Sequence, residues 1–227
     1  MNDDALVDDA LLLVEQNFYF LHMGEFLGKL SKTEDLSHDH STFVVKKMSN
    51  GAYYLNAEIT QVLLQNAYET KTDEISLFEY FVEFNAFRGI CMAMVEALRL
   101  ESNFREFMQE KLVDRFEDFV DILSFVRNVL SHNIHSEIKL ASKDFDGTLK
   151  RIRRMQRKTS INFEFIYAID LPEIASPNLE YGFVCAIDFE ALDTNTEFLQ
   201  VISHWQLFVL SELCFNLVSV FRTLQAK

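Results

Sequence analysis

Ile122-Leu123-Ser124-Phe125-Val126-Arg127-Asn128-Val129-Leu130-Ser131-His132-Asn133-Ile134-His135 is the stretch from which the rest of the chain can be read. At about 100° per residue, Ser124, Arg127, Asn128, Ser131, His132 and His135 fall on one arc. Ile122, Leu123, Phe125, Val126, Val129 and Ile134 fill the opposite side. The segment is therefore a helix whose apolar side belongs to a core and whose polar side gathers a permanent cation, an amide, two hydroxyls and two imidazoles. The helix is expected from Asn103 to about His135, opened by Ser102 or Asn103 with Glu106 as capping-box partner. Asp114, Glu117 and Asp121 continue the polar arc toward its amino end, most simply as a wetted face, with Asp121 also placed to orient Arg127.

The flanking sequence is helical on the amino side. Ala5 to Leu30 has apolar residues at helical spacing (Leu6, Ala10, Leu13, Val14, Phe18, Leu21), with Gly28 and the polar run Ser31–Ser41 marking its end. Asn50 to Tyr68 and Glu74 to Leu100 are the next expected helices, the second capped by Thr72 or Asp73. Its Glu83, Arg88 and Glu96 are expected to be solvated or locally paired. His22 and His204, single histidines on apolar helices, are expected to be core residues.

Downstream, Lys150-Arg151-Ile152-Arg153-Arg154-Met155-Gln156-Arg157-Lys158 packs six of the 21 basic residues into nine positions of a chain with formal charge −14. Lys150, Arg151, Arg153, Arg154, Arg157 and Lys158 are therefore candidates for contacting a phosphate backbone, or else an exposed helix balancing acidic neighbours. The period then changes from helical to two. Ile161, Phe163, Phe165, Tyr167 and Ile169, and again Tyr181, Phe183, Cys185, Ile187 and Phe189, predict a β-hairpin whose connection contains Pro172 and Pro177. A final helix from about Thr196 to Ala226, with Thr194 and Glu197 as capping box, completes a mainly α chain.

With 227 residues and 49% hydrophobic composition the chain can bury a substantial core. The acidic balance excludes a general nucleic-acid coat protein, so contact with RNA must be locally basic. The acidic N-terminus lacks the positive charge of a secretory or transit signal, and Trp205 to Phe221 is interrupted by Glu212 and Asn216, so a cytoplasmic protein without a membrane span is expected. Cys91, Cys185 and Cys214 are scattered and odd in number, as reduced core thiols are. Ser37-His38-Asp39-His40 lacks a second ligand cluster, so no metal and no cofactor are expected.

Arg127, the polar Asn128, three further residues and His132 resemble the Arg-polar-x3-His signature of HEPN domains (higher eukaryotes and prokaryotes nucleotide-binding). The resemblance implies one HEPN-like domain over 1–227, with a helical core at about 5–140 and 196–226 and a basic segment and β-hairpin inserted at about 145–192. It implies a metal-independent endoribonuclease, a toxin or defence component, in which the ribose 2′-hydroxyl attacks the adjacent phosphate. His132 would move the proton, Arg127 would hold the phosphate and Asn128 would orient one of them, with His135, Ser131 and Asp121 as secondary candidates. It further implies RNA as substrate, a homodimer with a composite site, and restraint by an antitoxin of nucleotidyltransferase type. Two other readings stay open: a non-catalytic HEPN module that binds a nucleotide or a protein, and an all-α interaction protein whose acidic surface docks a basic partner.

Overall fold

A computed structural model describes residues 3–33, 44–48, 51–54, 57–71, 76–132, 138–174 and 182–225. In chain order the elements are α1 (Asp3–Thr33), β1 (Val44–Met48), β2 (Gly51–Tyr54), α2 (Ala57–Glu69), α3 (Leu77–Leu100), α4 (Ser102–Leu112), a 3-10 turn (Val113–Arg115), α5 (Phe116–His132), α6 (Ser142–Arg154), β3 (Ser160–Ile166), α7 (Tyr167–Asp170), β4 (Gly182–Asp188), α8 (Phe198–Val201) and α9 (His204–Gln225). The chain is mainly helical with an antiparallel hairpin before the last helix. Contacts divide it into two compact units, Met1–Phe18 with Ala86–Lys227, and Tyr19–Asn85.

In the smaller unit, Gly28 does not end α1 but lies inside it. A Cβ at Gly24 would meet Val82 at 1.9 Å, and one at Gly28 would meet Glu79 at 2.6 Å, so these two positions, one turn apart, let α3 approach the α1 backbone. The cap of α3 is Ser76, not Thr72 or Asp73, which lie outside the described residues. Ser76 N–H donates to Glu79 Oε2 at 2.8 Å and Glu79 N–H to Ser76 Oγ at 3.2 Å, a reciprocal box carried by the sequence Ser-Leu-Phe-Glu. Lys32 pairs with Glu79 at 3.0 Å. Glu83 is buried rather than solvated, and His22 is exposed rather than core. The helix expected from Asn50 begins only at Ala57, because β1 and β2 pair first (Met48↔Gly51, Lys47↔Ala52). Turn-forming residues, Ser49, Asn50 and Gly51, stand in the sequence between two runs rich in Val and Tyr, a local signal of a strand pair. His38, Asp39 and His40 lie outside the described residues.

In the larger unit α5 is the central element. Phe119, Ile122, Phe125, Val126 and Val129 are fully buried. The β3–β4 hairpin packs its inner face there: Phe119 meets Phe163 at 5.4 Å between ring centroids, Phe163 meets Phe183 at 5.6 Å, and Phe125 stands edge-on to Phe189 at 5.5 Å. Register pairs Ile161↔Ile187, Phe163↔Cys185 and Phe165↔Phe183, all buried, while Asn162, Glu164, Val184 and Ala186 point outward. The strand ends sooner than its alternation predicts. Asp170 accepts Ile166 N–H at 2.7 Å and turns the chain into α7, burying Tyr167, whose hydroxyl donates to Val209 O at 3.2 Å, and leaving Ile169 exposed.

The single helix expected from Asn103 is divided. Glu101 caps α4 by accepting Asn103 N–H at 3.0 Å, and at Val113 the backbone takes φ 51° and ψ −120° before α5 begins. The last helix is likewise divided. Ile202 leaves the helical region after α8, and Ser203 with Gln206, rather than Thr194 with Glu197, forms the box that opens α9 (Ser203 N–H to Gln206 Oε1, 2.7 Å; Gln206 N–H to Ser203 Oγ, 3.2 Å). α9 is long and apolar enough to cross a membrane by length and composition, yet Leu207, Leu210, Cys214, Leu217 and Phe221 are buried within the unit. His204 is half-buried and edge-on to Phe87 and Phe208. The three cysteines are free and buried, and burial pushes the Cys91 and Cys185 thiols up to about 12 and the Cys214 thiol well above its ordinary value.

Candidate active site

α5 ends at His132, so the motif occupies its last turns. What faces it is the start of α6. Segment 138–140 is held by residues 196–198, with Leu140 N–H donating to Thr196 O at 2.9 Å and Phe198 N–H to Ile138 O at 2.8 Å. This clamp fixes where α6 begins. Asp144 stands at the third position of α6, and its Oδ2 accepts Ala141 N–H at 2.8 Å, satisfying an amide that no helical carbonyl can reach. Its other oxygen, Oδ1, lies 3.0 Å from His132 Nδ1. The aspartate side chain is 0% exposed and the histidine 39% exposed.

A buried carboxylate that is already ordered by a backbone amide and a helix N-terminus fixes the tautomer of its imidazole partner. With Asp144 ionised, Nδ1 of neutral His132 carries the proton and donates it, and Nε2 keeps its lone pair. The imidazole is thus oriented, partly solvent-accessible and able to take or release a proton.

Arg127 is half-buried, and its Nε and one Nη donate to Asn128 Oδ1 at 3.2 and 2.9 Å. It pairs with no carboxylate among the described residues, and its second Nη meets no acceptor there. Asn128 is therefore an orienting residue for Arg127, and its amide nitrogen makes a weak contact with Asp144 O at 3.5 Å. Asp144 thus touches both His132 and Asn128 and links the two ends of the motif. Ser131 is exposed and meets no partner among the described residues, and His135 lies outside them.

Asp121 does not orient Arg127. It is fully buried and accepts from Arg151 on one oxygen and from Arg157 at 2.6 Å on the other, while Arg151 also binds Glu117 and Arg157 binds Asp118. Burial pushes the Asp121 carboxyl above its ordinary range against the pull of the two guanidiniums. Glu117 and Asp121 of the acidic arc, with Asp118, are therefore the docking surface of Arg151 and Arg157 rather than a wetted face, while Asp114 stays exposed. Arg153 pairs with Glu190 at 2.9 Å. Of the basic segment, Lys150, Arg154 and Lys158 are exposed and pair with no carboxylate among the described residues.

Asp144 is the site residue that the sequence reading missed. Its one local signal is an acid three residues into a helix start, which many surface helices share, and its separation of twelve residues from His132 has no helical periodicity. No family model matches this chain, and neither a curated protein nor a solved structure does.

Proposed function

We propose that the protein is a HEPN-type endoribonuclease that works without a metal ion. The observation that carries the reading is the contact between His132 Nδ1 and the buried Asp144 carboxylate, at the end of a helix whose Arg127 meets no carboxylate among the described residues. His132 Nε2 takes the proton of the ribose 2′-hydroxyl as that oxygen bonds to the adjacent phosphorus. The bond from phosphorus to the 5′-oxygen breaks, the 5′-oxygen receives a proton, and a cyclic phosphate remains. Arg127 offers its free Nη edge to the phosphate, whose added charge in the transition state strengthens the interaction.

RNA cleavage in excess chelator by wild type, Arg127→Ala and His132→Ala tests this directly. Each substitution is expected to lower the rate by roughly 10²-fold or more. Activity that disappears in chelator would overturn the metal-free mechanism, and activity that survives both substitutions would overturn the site. Binding of RNA or a nucleotide without turnover would instead favour a non-catalytic HEPN module. A homodimer that brings two motifs to one cleft, and a nucleotidyltransferase-type partner that restrains it, belong to the same proposal and are read out by light scattering and by co-expression.

A further inference from the structure

α6 and the residues that follow it present two kinds of cation. Arg151 and Arg157 are turned into α5 and bound to Asp121, Glu117 and Asp118, and Arg153 is bound to Glu190. Lys143, Lys150 and Arg154 are exposed and pair with no carboxylate among the described residues. Counting about 100° per residue from Asp144, Lys143, Lys150, Arg154 and Gly147 fall within about 60° of one another. This flank adjoins the Asp144 and Arg151 side of the helix and lies away from Phe145 and Ile152, which face the core. The three cations span about 16 Å along the helix axis, starting one residue from the carboxylate that holds His132. Asp146 flanks the row without pairing with any of them.

Gly147 sits among these cations. In a helix interior glycine is less favourable than alanine, and packing does not require it here, because a Cβ at this position would meet nothing within 4 Å. A position without a side chain lets a ligand approach the helix backbone between the flanking cations.

We propose that the Lys143–Gly147–Lys150–Arg154 flank of α6 is a track for the backbone of single-stranded RNA, which delivers a phosphate to His132 and Arg127. The inference rests on the endoribonuclease reading and names the path of its substrate. The row of cations contacts consecutive phosphates, and Gly147 leaves room for the strand. Arg151, Arg153 and Arg157, which the composition of the segment groups with the others, hold the fold together and take no part.

The test is binding of a fluorescein-labelled oligouridylate to His132→Ala protein in chelator across a salt series. The triple variant Lys143→Gln/Lys150→Gln/Arg154→Gln is expected to bind at least about ten-fold more weakly at physiological salt and to lower the slope of log affinity against log salt by about 2. A control triple, Arg99→Gln/Arg105→Gln/Arg153→Gln, removes the same charge elsewhere and is expected to change affinity less than about two-fold. Gly147→Glu is expected to weaken binding with the first triple. Equal losses in the two triples, or displacement of the RNA by polyglutamate as readily as by unlabelled RNA, would overturn the track. If wild type fails to cleave and the triples still differ, the nuclease reading fails and the track stands. If wild type cleaves through His132 and the first triple binds normally, the track alone fails.

Discussion

Asp144 Oδ1 lies 3.0 Å from His132 Nδ1, while Asp144 Oδ2 accepts the amide of Ala141 at 2.8 Å. One buried carboxylate thus starts a helix and orients an imidazole on the neighbouring helix. Asp144→Asn keeps the side chain's size but replaces one acceptor oxygen with an amide donor, so Nδ1–H loses its fixed acceptor. The expected outcome is a drop in kcat on the order of ten- to a hundred-fold with little change in RNA affinity. Single-turnover cleavage and anisotropy on the same preparations check it. A parallel loss of affinity with unchanged kcat would count against the positioning role.

Asp121 sits fully buried between Arg151 and Arg157. Removing it leaves Arg151 with Glu117 and Arg157 with Asp118 but takes away the buried carboxylate that the two guanidiniums share. Asp121→Ala is expected to cost about 3 kcal/mol, roughly 10 °C in Tm. Because burial raises the Asp121 carboxyl despite both cations, the intact triad adds little beyond an apolar contact. Asp121→Leu/Arg151→Met/Arg157→Met is therefore expected to melt within about 1 kcal/mol of wild type. Thermal denaturation of the single and triple variants checks the contrast.

Arg115 grips Asp170 through two bonds of 2.7 and 3.1 Å, and this pair anchors the turn after β3 to the start of α5. The Arg115 guanidinium holds the Asp170 carboxyl below its ordinary value of 3.8, aided by the Ile166 amide and opposed by burial. A carboxyl depressed in the folded state contributes stability that is fully present above its ordinary value and lost as the pH falls through the folded value. Asp170→Asn is expected to flatten the acid limb of the stability profile below about pH 4 and to cost about 2 kcal/mol at neutral pH. Urea titrations from pH 2.5 to 7 check it.

Thr148 is 4% exposed and its hydroxyl has no hydrogen-bond partner among the described residues. It lies one turn after Asp144 on the side of α6 that meets α5. Leaving a buried hydroxyl unsatisfied costs roughly 1–3 kcal/mol, so Thr148→Val is expected to raise stability by about 1 kcal/mol. A lower Tm for this variant would show that the hydroxyl is used.

Val113 holds φ 51° with its side chain 69% exposed. A β-branched residue at positive φ is strained, and glycine is not. Val113→Gly is expected to stabilise the chain by about 1 kcal/mol, measured as a shift of the urea midpoint at constant m-value.

The hairpin could be read from the sequence because alternation is a local property: Phe163 and Phe165, or Phe183 and Cys185, face one side whatever they pack against. The polar arc of α5 was legible for the same reason. The break at Val113 was not, since Leu112-Val113-Asp114 contains no glycine or proline to mark it. Asn50-Gly51 and Ser76-Leu77-Phe78-Glu79 did carry local signals, and each marks an element boundary that broad helical periodicity hid. Asp144 carried almost none, because its role depends on the clamp between residues 138–140 and 196–198.

Periodicity alone placed Arg127, Asn128, Ser131 and His132 on one face of a helix, because the angle between residues on a helix is set by the backbone. Which charges meet is set by how helices pack, and here that packing divided the basic segment in two. Arg151 and Arg157 are spent on buried acids of α5, Lys150 and Arg154 remain at the surface, and His132 acquires an aspartate from the next helix. Ion pairing and desolvation act through space between segments that the chain keeps apart, so only the folded arrangement could assign those partners.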